Sequence, residues 1–158
     1  FYKLPEPIIN KAGCNLSFAG LKTAVLIQSK KIKKDKNSKY NLAASFQNTV
    51  NKILNKKTEE AMKQFLNKTK KTKPIFVVAG GVAANKTIRK NLINLSDSMG
   101  FTPIFPDLKF CGDNAAMIAW AGIQRFKKKL TNDLSFEAKS RWPLDKDAPF
   151  MKGPGLKL

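Results

Sequence analysis

The stretch that decides the fold reads Ile75-Phe76-Val77-Val78-Ala79-Gly80-Gly81-Val82-Ala83-Ala84-Asn85. Its first half is a run of apolar, mostly β-branched residues, which is typical of a hydrophobic strand. Gly80 and Gly81 then mark a turn, and a helical pattern begins just after Asn85. This order allows bare backbone to approach a phosphate or a nucleotide. The turn fits neither GxGxxG nor a Walker A sequence, so the stretch alone favours an ordinary turn with Asn85 as the helix N-cap.

Patterns typical of helices and strands alternate on both sides of this stretch. Apolar residues at steps of three and four predict a long amphipathic helix over residues 42–66, and Ser17 is predicted to cap an earlier helix. The lysine-rich residues 30–39 between them are typical of a solvated loop. A short strand is predicted within residues 102–106, and Pro103 indicates a sheet-edge or strand-end position. A helix of small residues is predicted at 115–122. The alternation predicts an α/β fold, a partial sheet flanked by helices.

The composition constrains the possible chemistry. The chain has 158 residues and a net charge of +19, from 30 Lys and Arg against 11 Asp and Glu. Such a charge suits a polyanion such as RNA, although a lysine-rich composition from AT-rich coding would also produce it. The chain contains no histidine. A histidine-based catalytic triad and a histidine-ligated metal site made by this chain alone are therefore excluded.

Features that would indicate a membrane or an oxidising compartment are not found in the sequence. No apolar run is long enough to cross a bilayer, and the first residues do not follow the order of a signal peptide. Cys14 and Cys111 have no metal-like spacing and suggest a reducing environment. We therefore expect a cytoplasmic protein without membrane partners.

Four segments of the chain are informative together: SFAGLKTA (17–24), VAGGVAAN (78–85), CGDNAAMIA (111–119) and RWPL (141–144). In this order they resemble segments of one protein family, the TsaD family of tRNA N6-adenosine threonylcarbamoyltransferases, formerly called O-sialoglycoprotein endopeptidases. The resemblance implies the actin/Hsp70/sugar-kinase (ASKHA) fold and a chain that is only the C-terminal half of the family's protein. Residues 1–120 would form most of the C-terminal lobe, and residues 121–158 a returning helix and tail that pack toward the N-terminal lobe.

The resemblance also implies roles for particular residues. The Asn that ends GGVxxN binds the adenylate of the substrate in the family, which assigns substrate binding to Asn85. Gly80 and Gly81 join it on physical grounds, because backbone without Cβ atoms can approach a nucleotide closely. The Asp of the family's CTDN segment is a metal ligand, which assigns that role to Asp113. On residue type alone, Asp113 or Asn114 can instead cap the helix that follows.

The implied cofactor is one divalent metal ion, with iron favoured over zinc. Two histidines from the N-terminal half would complete its ligands, so this chain by itself is expected to be inactive. The implied reaction moves a threonylcarbamoyl group from threonylcarbamoyl-AMP to N6 of the adenosine 3′ of the anticodon in ANN-decoding tRNAs. TsaB-like and TsaE-like proteins are the implied partners. No general base and no catalytic residue can be named from the sequence.

Three other functions stay open at this point. The older family name suggests a metalloprotease, but the chain lacks an HExxH segment. A non-catalytic RNA-binding fragment would need only the lysine-rich surface. A kinase of the same fold superfamily would transfer phosphate from ATP to a small substrate.

Overall fold

The computed structural model describes residues 1–69 and 72–137. They belong to two compact units, Phe1–Ala115 and a second unit that begins at Ala116. The RWPL segment and the tail that the sequence suggested lie outside the described residues.

A pair of parallel strands forms the sheet of the first unit. Strand β1 (Ile75–Val77) lies beside β2 (Thr102–Ile104), with Ile75 opposite Thr102. Parallel strands need a crossover connection, and helix α3 (Lys86–Ser98) supplies it. Within the described residues the sheet has only these two strands, so β2, which contains a proline, is an edge strand as predicted. The α/β class with a partial sheet is thereby confirmed.

The first two helices differ from their predicted limits. Helix α1 (Leu21–Lys31) begins after Gly20, which has a φ of 77°, whereas the Oγ of Ser17 accepts a hydrogen bond from the amide of Ala19. Ser17 is therefore not the N-cap. Helix α2 (Lys36–Lys68) begins six residues before the predicted position. The prediction of a loop over residues 30–39 is wrong for most of its length.

A local cap explains the early start of α2. Asp35 accepts a hydrogen bond at 2.8 Å from the backbone amide of Ser38. The hydroxyl of Ser38 donates a second one, at 2.7 Å, to the other carboxylate oxygen. An Asp at the N-cap satisfies amides that the first turn of a helix leaves unpaired. This cap starts the helix within a lysine-rich segment that has little apolar periodicity.

Helix α2 is the centre of packing in the first unit. It contacts α1 on one side and α3 on the other. Ile53, in its middle, is fully buried, and near its end the ring of Phe65 lies 5.9 Å from that of Phe101. The buried ammonium of Lys57 donates to the carbonyl oxygens of Lys11 and Gly13, which satisfies its charge and attaches the N-terminal segment to α2. Helix α2 thus packs against α1, α3 and the N-terminal segment.

Helix α4 (Ala115–Lys127) confirms the predicted helix of small residues and extends beyond it. None of its residues is buried. It carries five exposed large apolar side chains: Met117, Ile118, Trp120, Ile123 and Phe126. In the part of the chain that the structure describes, no helix has both the length and the hydropathy required to cross a membrane.

Candidate functional site

The glycine turn begins directly after β1. The amide of Val78 donates to the carbonyl of Ile104 at 3.0 Å, which is the last bond of the strand pair before the chain turns. Gly80 has a φ of 90°, a backbone conformation that side chains with a Cβ rarely adopt. Its carbonyl accepts a bond from the amide of Ala83 and closes a short 3₁₀ turn over Gly81–Ala84. The turn therefore requires glycine at position 80 for its backbone geometry.

Asn85 ends this turn and starts α3. Its Oδ1 accepts hydrogen bonds from the amides of Thr87 at 3.0 Å and Ile88 at 3.1 Å, so its prediction as an N-cap is confirmed. Its Nδ2 donates to the Oε1 of Gln47 on α2 at 3.0 Å. An amide group has two N–H donors and an oxygen with two lone pairs. With both lone pairs used by the cap, one N–H is left to bind a ligand.

The second predicted segment follows β2 in the same way. A 3₁₀ turn over Leu108–Phe110 leads to Cys111, which is buried, and then to Asp113, which is exposed. A Cβ added to Gly81 would lie 3.9 Å from the carbonyl oxygen of Cys111. The glycine turn and the residues before Asp113 are thus neighbours. Both follow the carboxyl ends of parallel strands, which is where open α/β sheets bind their ligands.

Arg89 connects these two segments, although it belongs to none of the four family-like segments. Its Nε donates to the carbonyl of Ala83 at 3.1 Å, within the glycine turn. One terminal nitrogen donates to the carbonyl of Pro106 at 3.2 Å and contacts the Sγ of Cys111 at 3.6 Å. The guanidinium carbon lies 4.8 Å from the ring centre of Phe105. The sequence offers one indication of its importance, since Arg89 is one of only three arginines among 30 basic residues.

Asp113 has the properties of an available ligand. Its side chain is exposed, and within the described residues its carboxylate has no hydrogen bond or ion pair. The next residue, Asn114, donates to the carbonyls of Phe110 and Gly112 and so stabilises the loop. No group of three acidic, cysteine or histidine side chains that could hold a metal ion occurs among residues 1–69 and 72–137. A metal site that includes Asp113 would therefore need its other ligands from outside the described residues.

The site at the sheet edge lies on an open surface. A separate groove of about 770 Å³ is formed by the N-terminal segment and α2, and none of the predicted site residues lines it. Its lining includes Lys3, Glu6 and Lys52, and Glu6 pairs with Lys52 at 3.0 Å. The site at the sheet edge is the better candidate, because two of the family-like segments lie side by side there.

Two parallel strands with a glycine turn after one and an acidic loop after the other define an α/β protein with a candidate nucleotide site. A family model described as TsaD, tRNA N6-adenosine threonylcarbamoyltransferase, matches residues 1–120. The chain therefore belongs to the TsaD family, as the resemblance predicted.

Relatives with the name tRNA N6-adenosine threonylcarbamoyltransferase agree with this assignment. The protein of Pelagibacter ubique is 56% identical over 157 residues, which cover 99% of this chain and 44% of the relative. That of Rickettsia rickettsii is 44% identical over 146 residues, covering 91% and 42%. That of Cereibacter sphaeroides is 38% identical over 161 residues, covering 99% and 44%. The chain thus spans less than half the length of these relatives.

Proposed function

We propose that this chain takes part in threonylcarbamoyl transfer from threonylcarbamoyl-AMP to N6 of the adenosine 3′ of the anticodon in ANN-decoding tRNAs. It would act as the C-terminal part of the catalytic subunit. Family membership supports the class of reaction. The observation that carries the proposal is the nearness of Gly81 to the carbonyl oxygen of Cys111, since a Cβ added to Gly81 would lie only 3.9 Å from that oxygen. The proposed adenylate-binding turn therefore lies beside the loop of the proposed metal ligand.

The adenylate would bind at the glycine turn. Asn85 would donate its remaining N–H to an oxygen or ring nitrogen of the nucleotide, because its own oxygen is used by the helix cap. Gly80 and Gly81 are both exposed and carry no Cβ, so the nucleotide can reach their backbone. The positive end of the α3 dipole lies at the same place and favours an anionic group such as a phosphate.

Asp113 would hold the metal ion, with iron favoured over zinc. Two histidines from the N-terminal half of the family's protein would complete the ligands. A bound divalent ion supplies Lewis-acid polarisation of a carbonyl or phosphoryl oxygen. The exposed carboxylate without an internal partner supports this role, since ligation would break no bond of the fold.

The wider assignments follow from the same family. We propose an ASKHA fold for the complete protein, with residues 1–120 as most of one lobe and 121–158 as a returning helix and tail. The net charge of +19 supports attraction of tRNA at low and moderate ionic strength. TsaB-like and TsaE-like proteins are the proposed partners, and the cytoplasm is the proposed location.

Reconstitution tests the proposal. This chain is combined with a family N-terminal half that carries the two histidines, with the partner proteins, threonylcarbamoyl-AMP and unmodified tRNA. Modified adenosine is then measured by mass spectrometry. We expect product with the wild-type chain and none with Asp113→Asn. The control is Asp107→Asn, which should give wild-type amounts of product. Asp107 is an exposed carboxylate in the same loop, and its nearest cation, Lys109, lies 4.0 Å away.

Different failures have different meanings. An assembled, metal-loaded complex that makes no product would contradict the transferase proposal. If that complex still bound tRNA, and Asn85→Asp and Asp113→Asn left the affinity unchanged, the RNA-binding alternative would be favoured.

A further inference from the structure

We infer that Arg89 is a positioning residue of the proposed site, and that its guanidinium sets the glycine turn relative to the loop that carries Asp113. This inference rests on the proposed function. It concerns how the site is held together, whereas the proposed function concerns what the site binds.

The contacts of Arg89 join segments that the backbone alone connects only loosely. Its Nε reaches Ala83 in the glycine turn, and a terminal nitrogen reaches Pro106 and Cys111 after β2. Apart from α3, these segments are joined by a strand pair only three residues long. A short pair of strands tolerates twisting at its ends, so a side chain that bonds to both segments restricts their separation.

The chemistry of the side chain fits this role. A guanidinium holds its donors in one rigid plane, so bonds to two acceptors on different segments specify a distance and an angle between them. The guanidinium carbon lies 4.8 Å from the Phe105 ring centre, and this packing further limits the rotation of the side chain. An ammonium is a point charge on a flexible stem and cannot reproduce the planar arrangement.

The two ends of this connection lie next to the proposed ligand-binding groups. Ala83 is two residues before Asn85, and Cys111 is two residues before Asp113. A shift of either segment would move one of these groups away from a substrate held by the other. Misplacement by about 1 Å is enough to weaken a site of this kind substantially.

Binding of threonylcarbamoyl-AMP to the reconstituted complex tests the inference. We expect Arg89→Ala and Arg89→Lys each to lower the affinity about tenfold, the loss of roughly one charge-assisted hydrogen bond. Millimolar methylguanidinium should restore the affinity of Arg89→Ala, and methylammonium should not. Lys90→Ala, an exposed neighbour on α3, is the matched control and should bind as the wild type does. Unchanged affinity in Arg89→Ala would overturn the inference, as would a loss that methylguanidinium does not reverse.

A second measurement needs no ligand. Cys111 is 2% exposed and contacts Arg89, whereas Cys14 is partly exposed and serves as an internal reference. In the chain by itself, Arg89→Ala should raise the rate at which iodoacetamide alkylates Cys111 several-fold, and it should leave the rate at Cys14 unchanged. Methylguanidinium should bring the Cys111 rate of this variant back toward that of the wild type. If the wild-type complex binds no adenylate, the proposed function fails. In that case the alkylation rates by themselves test whether Arg89 positions the two segments. An Arg89→Ala variant whose Cys111 is alkylated at the wild-type rate would overturn the inference.

Discussion

The Oε1 of Gln47 accepts a hydrogen bond from the Nδ2 of Asn85 at 3.0 Å, across 38 residues of sequence. The Nε2 of Gln47 in turn donates to the hydroxyl of Thr87 at 3.3 Å. Helix α2 therefore holds the first turn of α3 through one side chain that bonds to two others. Because the oxygen of Asn85 is already used by the cap, this contact determines where its last N–H points.

Substitutions of Asn85 should separate its structural role from its binding role. Asn85→Ala removes the cap and should lower the free energy of unfolding by about 1 kcal/mol. Asn85→Asp keeps an acceptor for the amides of Thr87 and Ile88, and Gln47 can turn its amide to donate to the second carboxylate oxygen, so the stability should be close to that of the wild type. It removes the N–H donor and adds a negative charge, so threonylcarbamoyl-AMP should bind at least tenfold more weakly.

Urea unfolding and calorimetric titration of the reconstituted complex would measure these two effects. An Asn85→Asp variant that is stable and binds the adenylate normally would contradict the assigned donor role.

The orientation of Asn85 should depend on Gln47. Gln47→Leu removes the acceptor and frees the amide of Asn85 to rotate on its remaining bonds. Adenylate affinity should fall about threefold to tenfold, the effect of one neutral hydrogen bond. Gln47→Glu is the matched control, since its carboxylate can accept from both Asn85 and Thr87. If the Leu and Glu variants bind equally well, the contact does not orient the site.

The centre of α2 should be sensitive to loss of volume. Ile53 is fully buried, so Ile53→Ala should cost about 2–5 kcal/mol of unfolding free energy and Ile53→Val about 1 kcal/mol. Ile27 on α1 is half exposed, and Ile27→Ala should change stability by less than about 0.5 kcal/mol. Denaturant unfolding of the three variants measures this order, and a reversed order would mean that α2 is not the packing centre.

The cap of α2 should make stability depend on pH. The backbone amide of Ser38, followed by its hydroxyl, holds the pKa of Asp35 below its ordinary value of 3.8. Since the pKa is lower in the folded state than in the unfolded state, this contribution is present above pH 3.8 and is lost as the pH falls through the folded-state value. Asp35→Asn keeps an acceptor but removes the charge. The wild type should therefore melt at a higher temperature than this variant at pH 7, and the difference should shrink in strong acid.

A calorimetric melting series across this range measures the effect. A difference between wild type and Asp35→Asn that does not change with pH would show that the charge of Asp35 is irrelevant to the cap.

The exposed apolar side chains of α4 should limit the solubility of the chain. Contiguous apolar patches of this kind promote association. The double variant Ile118→Gln and Trp120→Gln should therefore stay monomeric at higher concentration in sedimentation experiments. Tyr40→Gln on α2 removes an equally exposed aromatic ring outside this helix and should have little effect. Equal self-association of the two variants would argue against the α4 surface as its cause.

Several features could be predicted because they depend on residues close together in the chain. The strand, the glycine turn and the cap of α3 all lie within residues 75–88, where the partners of Asn85 are two and three residues away. The family segments were informative for the same reason, since each is a continuous stretch. The Asp35 cap is equally local, but lysines around it obscured the helical pattern, so the start of α2 was predicted too late.

The connections within the site depended on the tertiary structure. Arg89 finds Pro106 and Cys111 at separations of 17 and 22 residues, and Asn85 finds Gln47 at 38. The pattern of apolar residues does not indicate such pairs. The two pairs of Arg89 form only after α3 brings the strands side by side, and the pair of Asn85 with Gln47 forms only when α3 packs against α2. Local sequence was thus sufficient for the turn and its capping residue. The packing of α2, α3 and the strand pair decided which side chains hold that turn beside the loop of Asp113.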